Sequence, residues 1–212
     1  MNLNIFILNI FIFLLGAQIL RSFLGSHLRI TNFIQIYKLR IIRFIFLFAI
    51  FVVFLLLFYQ SYLQYEAWFS NEFSKHLLGQ RVEFDNLNIS VNYFIFYAIT
   101  RFFAPYLISL ISALIFLILA GKFNKKHDEK FFEREELWLG ALALFLTSWP
   151  GAFFYFIGLI LVYLIIHIIL SLIYSFSPLR VSLYYLWMPT AIFVIIINKW
   201  LIELELWKLL KI

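Results

Sequence analysis

Long apolar runs separated by short polar segments make up most of this chain. Six runs stand out: Leu3–Leu20, Ile41–Tyr59, Val91–Gly121, Leu137–Trp149, Ala152–Phe176 and Leu183–Leu201. A bilayer core about 30 Å thick takes roughly 20 apolar helical residues to cross. The pattern therefore predicts an all-α fold, a polytopic transmembrane helix bundle of about six spans, forming one integral membrane domain over residues 1–212.

Two segments interrupt this pattern. The run Val91–Gly121 contains Arg101 and then Pro105, so it is either one long kinked span or two short helices that turn at Phe103–Pro105. The preceding segment, residues 60–90, carries several charges and is too polar to cross. We expect it to form an outer loop with an interfacial helix over Tyr62–Leu78.

Composition agrees with a membrane protein. The chain is 65% hydrophobic and 13% charged, with 22% aromatic residues, and its mean hydropathy is +0.97. These values exclude a soluble globular domain and place the chain in the cell membrane as a multi-pass protein. The absence of cysteine excludes disulfides, thiolate-bound zinc and a cysteine nucleophile. The four histidines are scattered, so we expect no metal site and no cofactor.

Charge is unevenly distributed along the chain. Segments 21–43, 122–136 and 175–182 hold most of the 17 lysines and arginines, whereas segments 60–90 and 199–212 hold fewer. The basic segments are therefore predicted to be cytoplasmic and both termini to lie outside. We interpret the net charge of +6 as a topology signal facing membrane lipids, and we expect no nucleic-acid partner. This topology places Asp85 outside and Glu136 inside.

The fourth run is too short to cross the bilayer, because its 13 residues extend only about 20 Å. To span, its helix has to begin near Lys130, which draws Glu133 and Glu136 to the inner edge of the bilayer. A buried carboxyl group at Glu136 could act as a general acid or base. The alternative is that Asp128, Glu129 and Glu133 favour a helix N-terminus through its dipole, with Glu135 and Glu136 solvated beside Lys130 and Arg134.

Two stripes run along this helix at helical spacing. One carries small residues and is expected to meet another helix: Glu133, Glu136, Gly140, Ala143 and Thr147. The neighbouring stripe is bulky and, beyond its first member, is expected to face lipid: Glu135, Leu139, Leu142 and Leu146. Glu136 is therefore the carboxylate that we expect to point into the bundle.

The segment around this helix resembles the type 4 prepilin peptidases, membrane aspartyl proteases that remove the leader from pilin precursors. Their GxGD motif precedes a short helix that ends near a Trp-Pro-Gly turn, and Leu139–Gly151 is similar to that helix, ending in Trp149-Pro150-Gly151. Arg21–Ser26 and Arg180–Leu186 resemble two further family segments less closely. The resemblance implies that Glu136 takes the place of one catalytic aspartate, and it offers Asp85 as the candidate for the other.

The sequence departs from the family pattern at several points. Glu133 and Glu135 replace both motif glycines, and the family's zinc domain is missing. Aspartyl proteolysis needs two carboxyl groups on one water, whereas the charge pattern separates Asp85 from Glu136 by the bilayer. We therefore expect a divergent relative without leader-peptidase activity, in the bacterial inner membrane, with a pilin-like or other membrane protein as partner. Any remaining activity would be that of an intramembrane aspartyl prepilin peptidase.

A hypothesis from a different class is a small membrane transporter or lipid-handling protein. Such a protein would use Arg101, His167 and Glu136 as polar sites inside the membrane, because charged side chains there commonly mark substrate or proton pathways. Leader cleavage and proton-coupled flux distinguish the two hypotheses.

Overall fold

The protein is helical in almost all of the part that the structure describes. A computed structural model describes residues 7–10, 12, 16, 32–84, 89–128, 131–173 and 183–201. Within these residues lie α1 Asn32–Ser70, α2 Tyr93–Ala98, α3 Ala104–Lys126, α4 Arg134–Thr147, α5 Gly151–Ile173 and α6 Trp187–Leu201. Two short antiparallel strands, β1 Arg81–Phe84 and β2 Ile89–Asn92, form a hairpin between α1 and α2. The all-α prediction is confirmed.

Three of the described helical stretches are long and apolar enough to cross a membrane, namely Leu39–Ser70, Tyr93–Lys126 and Gly151–Leu172. A shorter apolar stretch covers Leu183–Ile197. Much of the first predicted span lies outside the described residues. The chain is thus a membrane-associated helical protein, and its count of six spans stays a prediction.

The apolar run that contains Pro105 forms one continuous helix. A π-helical turn, Ile99–Phe103, joins α2 to α3, and the Ala104 amide donates to the Ile99 carbonyl five residues back. Pro105 has no amide hydrogen and so cannot bond the Arg101 carbonyl, which favours a wider turn at this point. Of the two alternatives from the sequence, the single kinked helix is the one observed.

The separate interfacial helix expected at Tyr62–Leu78 is not observed as one element. α1 continues without a break to Ser70, and a short helical turn, Glu72–Lys75, and a 3₁₀ turn, His76–Gly79, follow it. The extension packs on α2, because the Trp68 ring lies 4.9 Å from the Tyr97 ring, centroid to centroid. We expected these residues in an outer loop. The aromatic contact instead stabilises them as the last turns of the long helix.

Helix α4 lies at the centre of the bundle, with 12 of its 14 residues buried. Phe46 of α1 packs edge-on against Phe145, with ring centroids 6.3 Å apart. From α3, the Ser109 hydroxyl donates to the Leu144 carbonyl. From α6, the Trp187 ring packs on Gly140. The prediction that the Gly140 face meets another helix is confirmed.

The prediction that the bulky stripe of α4 faces lipid is wrong. All four members are buried: Glu135, Leu139, Leu142 and Leu146. At 14 residues, α4 extends about 21 Å, less than the hydrocarbon thickness, and neighbouring helices cover it on its small and its bulky face alike. A helix that is apolar all round is typical of such an enclosed position.

The bundle has two distinct ends. At the first, which we call the Glu136 end, Arg43 of α1 lies over the Trp138 ring at 5.0 Å. At the second, the hairpin end, the Trp149 amide donates to the Pro105 carbonyl at 3.1 Å. The β-hairpin lies beyond this second end, since β2 leads directly into α2. Helix α4 runs between these two ends and is about 21 Å long.

Candidate functional site at the start of helix α4

The first turn of α4 is closed by a reciprocal pair of glutamates. The Glu136 Oε2 atom accepts the Glu133 amide at 3.2 Å, and the Glu133 side chain accepts the Glu136 amide. A residue that accepts at the N-cap and a glutamate three positions later form a capping box. Helix α4 therefore begins at Arg134, and the prediction that it begins near Lys130 is wrong. Lys130 itself lies outside the described residues.

The second oxygen of Glu136 binds a different part of the chain. Its Oε1 atom accepts the Tyr184 amide at 3.0 Å, in the 3₁₀ turn Leu183–Tyr185 that precedes α6. Glu136 is only 2% exposed. Hydrogen bonds from backbone amides to a carboxylate are charge-assisted, and the start of α4 adds its favourable dipole. We call this arrangement of Glu133, Glu136 and Tyr184 the carboxylate clamp.

The sequence left two interpretations open: Glu136 points into the bundle, or Glu135 and Glu136 are solvated. The burial of both residues bears on this choice. Glu136 points into the bundle as its stripe predicted, and Glu135 is also buried at 7% exposure. The alternative in which both residues are solvated is wrong. Its other half is observed at Glu133, which is the N-cap residue of α4, whereas Glu129 lies outside the described residues.

The connector before α4 is held by one buried amide side chain. Asn124, 2% exposed, accepts the Phe131 and Phe132 amides at 3.1 and 3.0 Å through Oδ1. Its Nδ2 donates to the Phe132 carbonyl at 2.7 Å. These bonds keep residues 131–132 out of the helix and place Glu133 at its cap.

The other end of α4 carries hydroxyl groups around a small cavity. Part of its lining comes from Tyr106, Thr147 and Ser148. The cavity volume of about 20 Å³ accommodates about one water molecule. Ser148 caps α4 with φ 52° and ψ 163°, a conformation that L residues rarely adopt, and a cis Trp149–Pro150 peptide bond follows. None of the described residues that line this cavity carries a carboxyl group, so they supply no acid–base pair.

Asp85, the second predicted catalytic residue, lies outside the described residues. The strands that flank it, β1 and β2, belong to the hairpin end. Glu136 lies at the opposite end, next to the connector that Asn124 holds. The described residues therefore bring no second carboxyl group from the hairpin to the carboxylate clamp.

The polar residues of the transporter hypothesis do not form one site with Glu136. Arg101 is exposed in the π turn at the hairpin end, whereas Glu136 is buried at the other end. His167 is exposed on α5, with its ring stacked on Tyr163 at 6.0 Å between centroids. Within the part of the chain that the structure describes, no group of three or more His, Asp or Glu residues could hold a metal ion.

Comparison with protein-family models, with curated proteins and with solved structures finds no match to this chain. The resemblance to prepilin peptidases, which depends on short motifs, therefore stays a prediction. The fold, the carboxylate clamp and the surfaces around it are the observations from which a function can be inferred.

Two residues of the clamp region are not apparent from the sequence alone. Tyr184 contributes its backbone amide, which every residue except proline carries, so no side-chain pattern reveals it. A signal did exist at the level of the segment, because Tyr184 lies within Arg180–Leu186, one of the stretches that resembles the prepilin peptidases. Asn124 is the one amide side chain in the strongly charged sequence from Lys122 to Glu136, and that contrast is the signal that could have singled it out.

Proposed function

We propose that this chain is a divergent relative of the prepilin peptidases that has lost leader cleavage and serves as a non-catalytic integral membrane protein. One observation carries this proposal: each carboxylate oxygen of Glu136 accepts a backbone amide, one from Glu133 and one from Tyr184. The residue at the position of a catalytic aspartate is thus engaged in holding two helices together.

The chemistry of aspartyl proteolysis explains why this engagement matters. One carboxylate has to take a proton from a water while a second, protonated carboxyl group polarises the scissile carbonyl. Glu136 could bind such a water only in competition with the Glu133 and Tyr184 amides. The second carboxyl group, that of Asp85, would have to come from the segment between β1 and β2. Both strands lie at the hairpin end of the bundle, opposite Glu136.

The spatial arrangement supports kinship with the prepilin peptidases independently of activity. The resemblance singles out the segment Glu133–Gly151 and the segment Arg180–Leu186, which are far apart in sequence. The hydrogen bond between Glu136 and the Tyr184 amide joins these two segments directly. This contact is consistent with a relative that keeps the family's helical core but has lost its catalytic activity.

A non-catalytic relative can still recognise a membrane partner. The long helices of this chain expose many large apolar side chains, Phe44 and Leu172 among them, which can contact lipid or another transmembrane helix. A pilin-like protein is the partner that the resemblance implies, bound without being cut.

Leader cleavage tests the proposal. The purified full-length protein is incubated in detergent with a prepilin substrate, beside an active prepilin peptidase as positive control. We expect the substrate to stay intact. Cleavage that disappears in Asp85→Asn and in Glu136→Gln, with both variants still monodisperse in size-exclusion chromatography, would contradict the proposal.

The transporter alternative has less support, because Arg101, His167 and Glu136 lie apart. Proton-coupled flux in liposomes that disappears on His167→Ala would favour it over a peptidase relative.

A further inference from the structure

An apolar groove runs along the outer side of α3. It has a volume of about 550 Å³ and follows α3 from Ser112 to Phe123, a length of about 16 Å. Phe116 and Phe156 of α5 meet edge-on at its floor, with ring centroids 6.1 Å apart, and Phe132 lies at its end. That length is about half of a bilayer core, the thickness of one leaflet.

The groove opens outward. Leu119 and Phe123, which line it, are 62% and 48% exposed. In a helix that crosses a membrane, such an opening faces the acyl chains of the surrounding lipid. Such a groove binds one particular lipid in preference to the surrounding lipids only if another feature of the protein also binds the lipid headgroup.

Positive charge lies at the end of the groove. Lys126 follows Phe123 by three residues and therefore extends the lining face of α3 by one turn, and Lys122 flanks the same face. Both side chains are exposed. Lys125 is exposed as well, but it follows Phe123 by two residues and so projects from the opposite side of the helix.

The described acidic residues near this end of the groove differ in position, and Glu129 lies outside the described residues. Asp128 lies beyond the end of α3, in the connector. Glu133 lies further along the connector, and its carboxylate accepts the Glu136 amide in the clamp. The last turn of α3 thus presents lysines without an acidic residue on the same turn, next to an apolar channel of leaflet length.

We propose that this groove binds one anionic phospholipid, with an acyl chain along α3 and the headgroup phosphate at Lys126 and Lys122. Charge complementarity selects this occupant, since lysines near the membrane surface attract anionic headgroups over zwitterionic ones. The apolar channel adds the contact that a free phosphate could not make. This site does not depend on the kinship with the prepilin peptidases.

Native mass spectrometry of the full-length protein in a mild detergent tests the site. Phosphatidylglycerol and phosphatidylcholine with identical chains are titrated separately, and the apparent Kd of the first bound lipid is compared. We expect phosphatidylglycerol to bind more tightly, and Lys126→Ala to weaken it about fivefold. Lys125→Ala is the matched control and should change the Kd by less than about twofold.

Two further arms separate the headgroup from the chain. Ala120→Phe, which fills the groove, should weaken phosphatidylglycerol and phosphatidylcholine alike, because it removes space for the chain. Glycerol phosphate, which has no chain, should not displace the bound lipid. The proposal would be overturned by equal losses in Lys125→Ala and Lys126→Ala, by equal affinity for both lipids, or by displacement with glycerol phosphate. The lysine variants alter only exposed side chains, so they test the site even if Ala120→Phe does not fold.

Discussion

Replacing Glu136 by glutamine separates a structural role from a catalytic one. Glutamine has the same shape as glutamate but offers one acceptor oxygen in place of two. In the wild-type clamp, one oxygen accepts the Glu133 amide and the other accepts the Tyr184 amide. In Glu136→Gln, one of these amides would face the side-chain NH₂ group, donor against donor, in a site where the residue is 2% exposed.

The expected magnitude follows from the contacts that are lost. A hydrogen bond to a charged group contributes about 1.5–3 kcal/mol, and a carboxylate at a helix N-terminus adds about 0.3–1 kcal/mol. The free energy of unfolding should therefore fall by about 2–4 kcal/mol. For a protein of this size, the apparent Tm should decrease by about 4–16 °C.

Thermal unfolding in detergent, followed by the loss of monodisperse protein in size-exclusion chromatography, measures this change. Glu83→Gln is the matched control, because Glu83 is an exposed residue of β1 and its replacement should shift the Tm by only about 1–2 °C. If Glu136→Gln unfolds at the wild-type temperature, the clamp does not stabilise the fold and our account of Glu136 is wrong.

Three other substitutions test the surroundings of α4. Gly140→Ala should lower the Tm, because the new Cβ atom would lie 2.9 Å from Trp187 Cζ3 and overpacking costs about 1–3 kcal/mol. Gly158→Ala has an ordinary 3.5 Å neighbour and should gain up to about 1 kcal/mol from helix propensity, so equal Tm values for the two alanine variants would contradict the packing. Asn124→Ala should cost about 2 kcal/mol and speed tryptic cleavage of the connector before α4, since two backbone amides lose their acceptor; an unchanged cleavage rate would refute this. Ser148→Gly should be about 1 kcal/mol more stable than Ser148→Ala, because both variants lose the hydroxyl that bonds Tyr106 but only glycine adopts a φ of 52° without strain; equal Tm values for the two variants would contradict this.

Run length and spacing in the sequence predict much of this fold. The long apolar runs predicted the helices, and the small residues around Gly140 predicted a helix–helix contact that the structure contains. These features are local, so a single segment carries the whole signal. The glutamate pair Glu133 and Glu136 also has the three-residue spacing of a capping box, a local signal that the predictions above did not include.

The environment of α4 could not be predicted in the same way. Leu142 and Leu146 look the same whether they face lipid or the centre of a bundle, because both surroundings are apolar. Their stripe indicated contact with lipid, whereas the structure buries both residues. Hydropathy alone does not distinguish a helix enclosed by other helices from a helix that contacts lipid.

Long-range contacts explain the remaining differences. The start of α4 depends on Asn124, which holds a connector seven to eight residues away. The second partner of Glu136 is an amide 48 positions further along the chain. Neither contact leaves a local pattern, so the sequence indicated an unusual carboxylate without revealing what binds it.

The sidedness of residues 85 and 125 tests most directly the claim that Asp85 does not pair with Glu136. The chain has no cysteine, so Asp85→Cys and Lys125→Cys each give one labelling site on an otherwise unreactive background. Membrane-impermeant maleimide is applied to right-side-out and to inverted vesicles. The account predicts that the two cysteines react from opposite sides of the membrane, and labelling of both from the same side would contradict it.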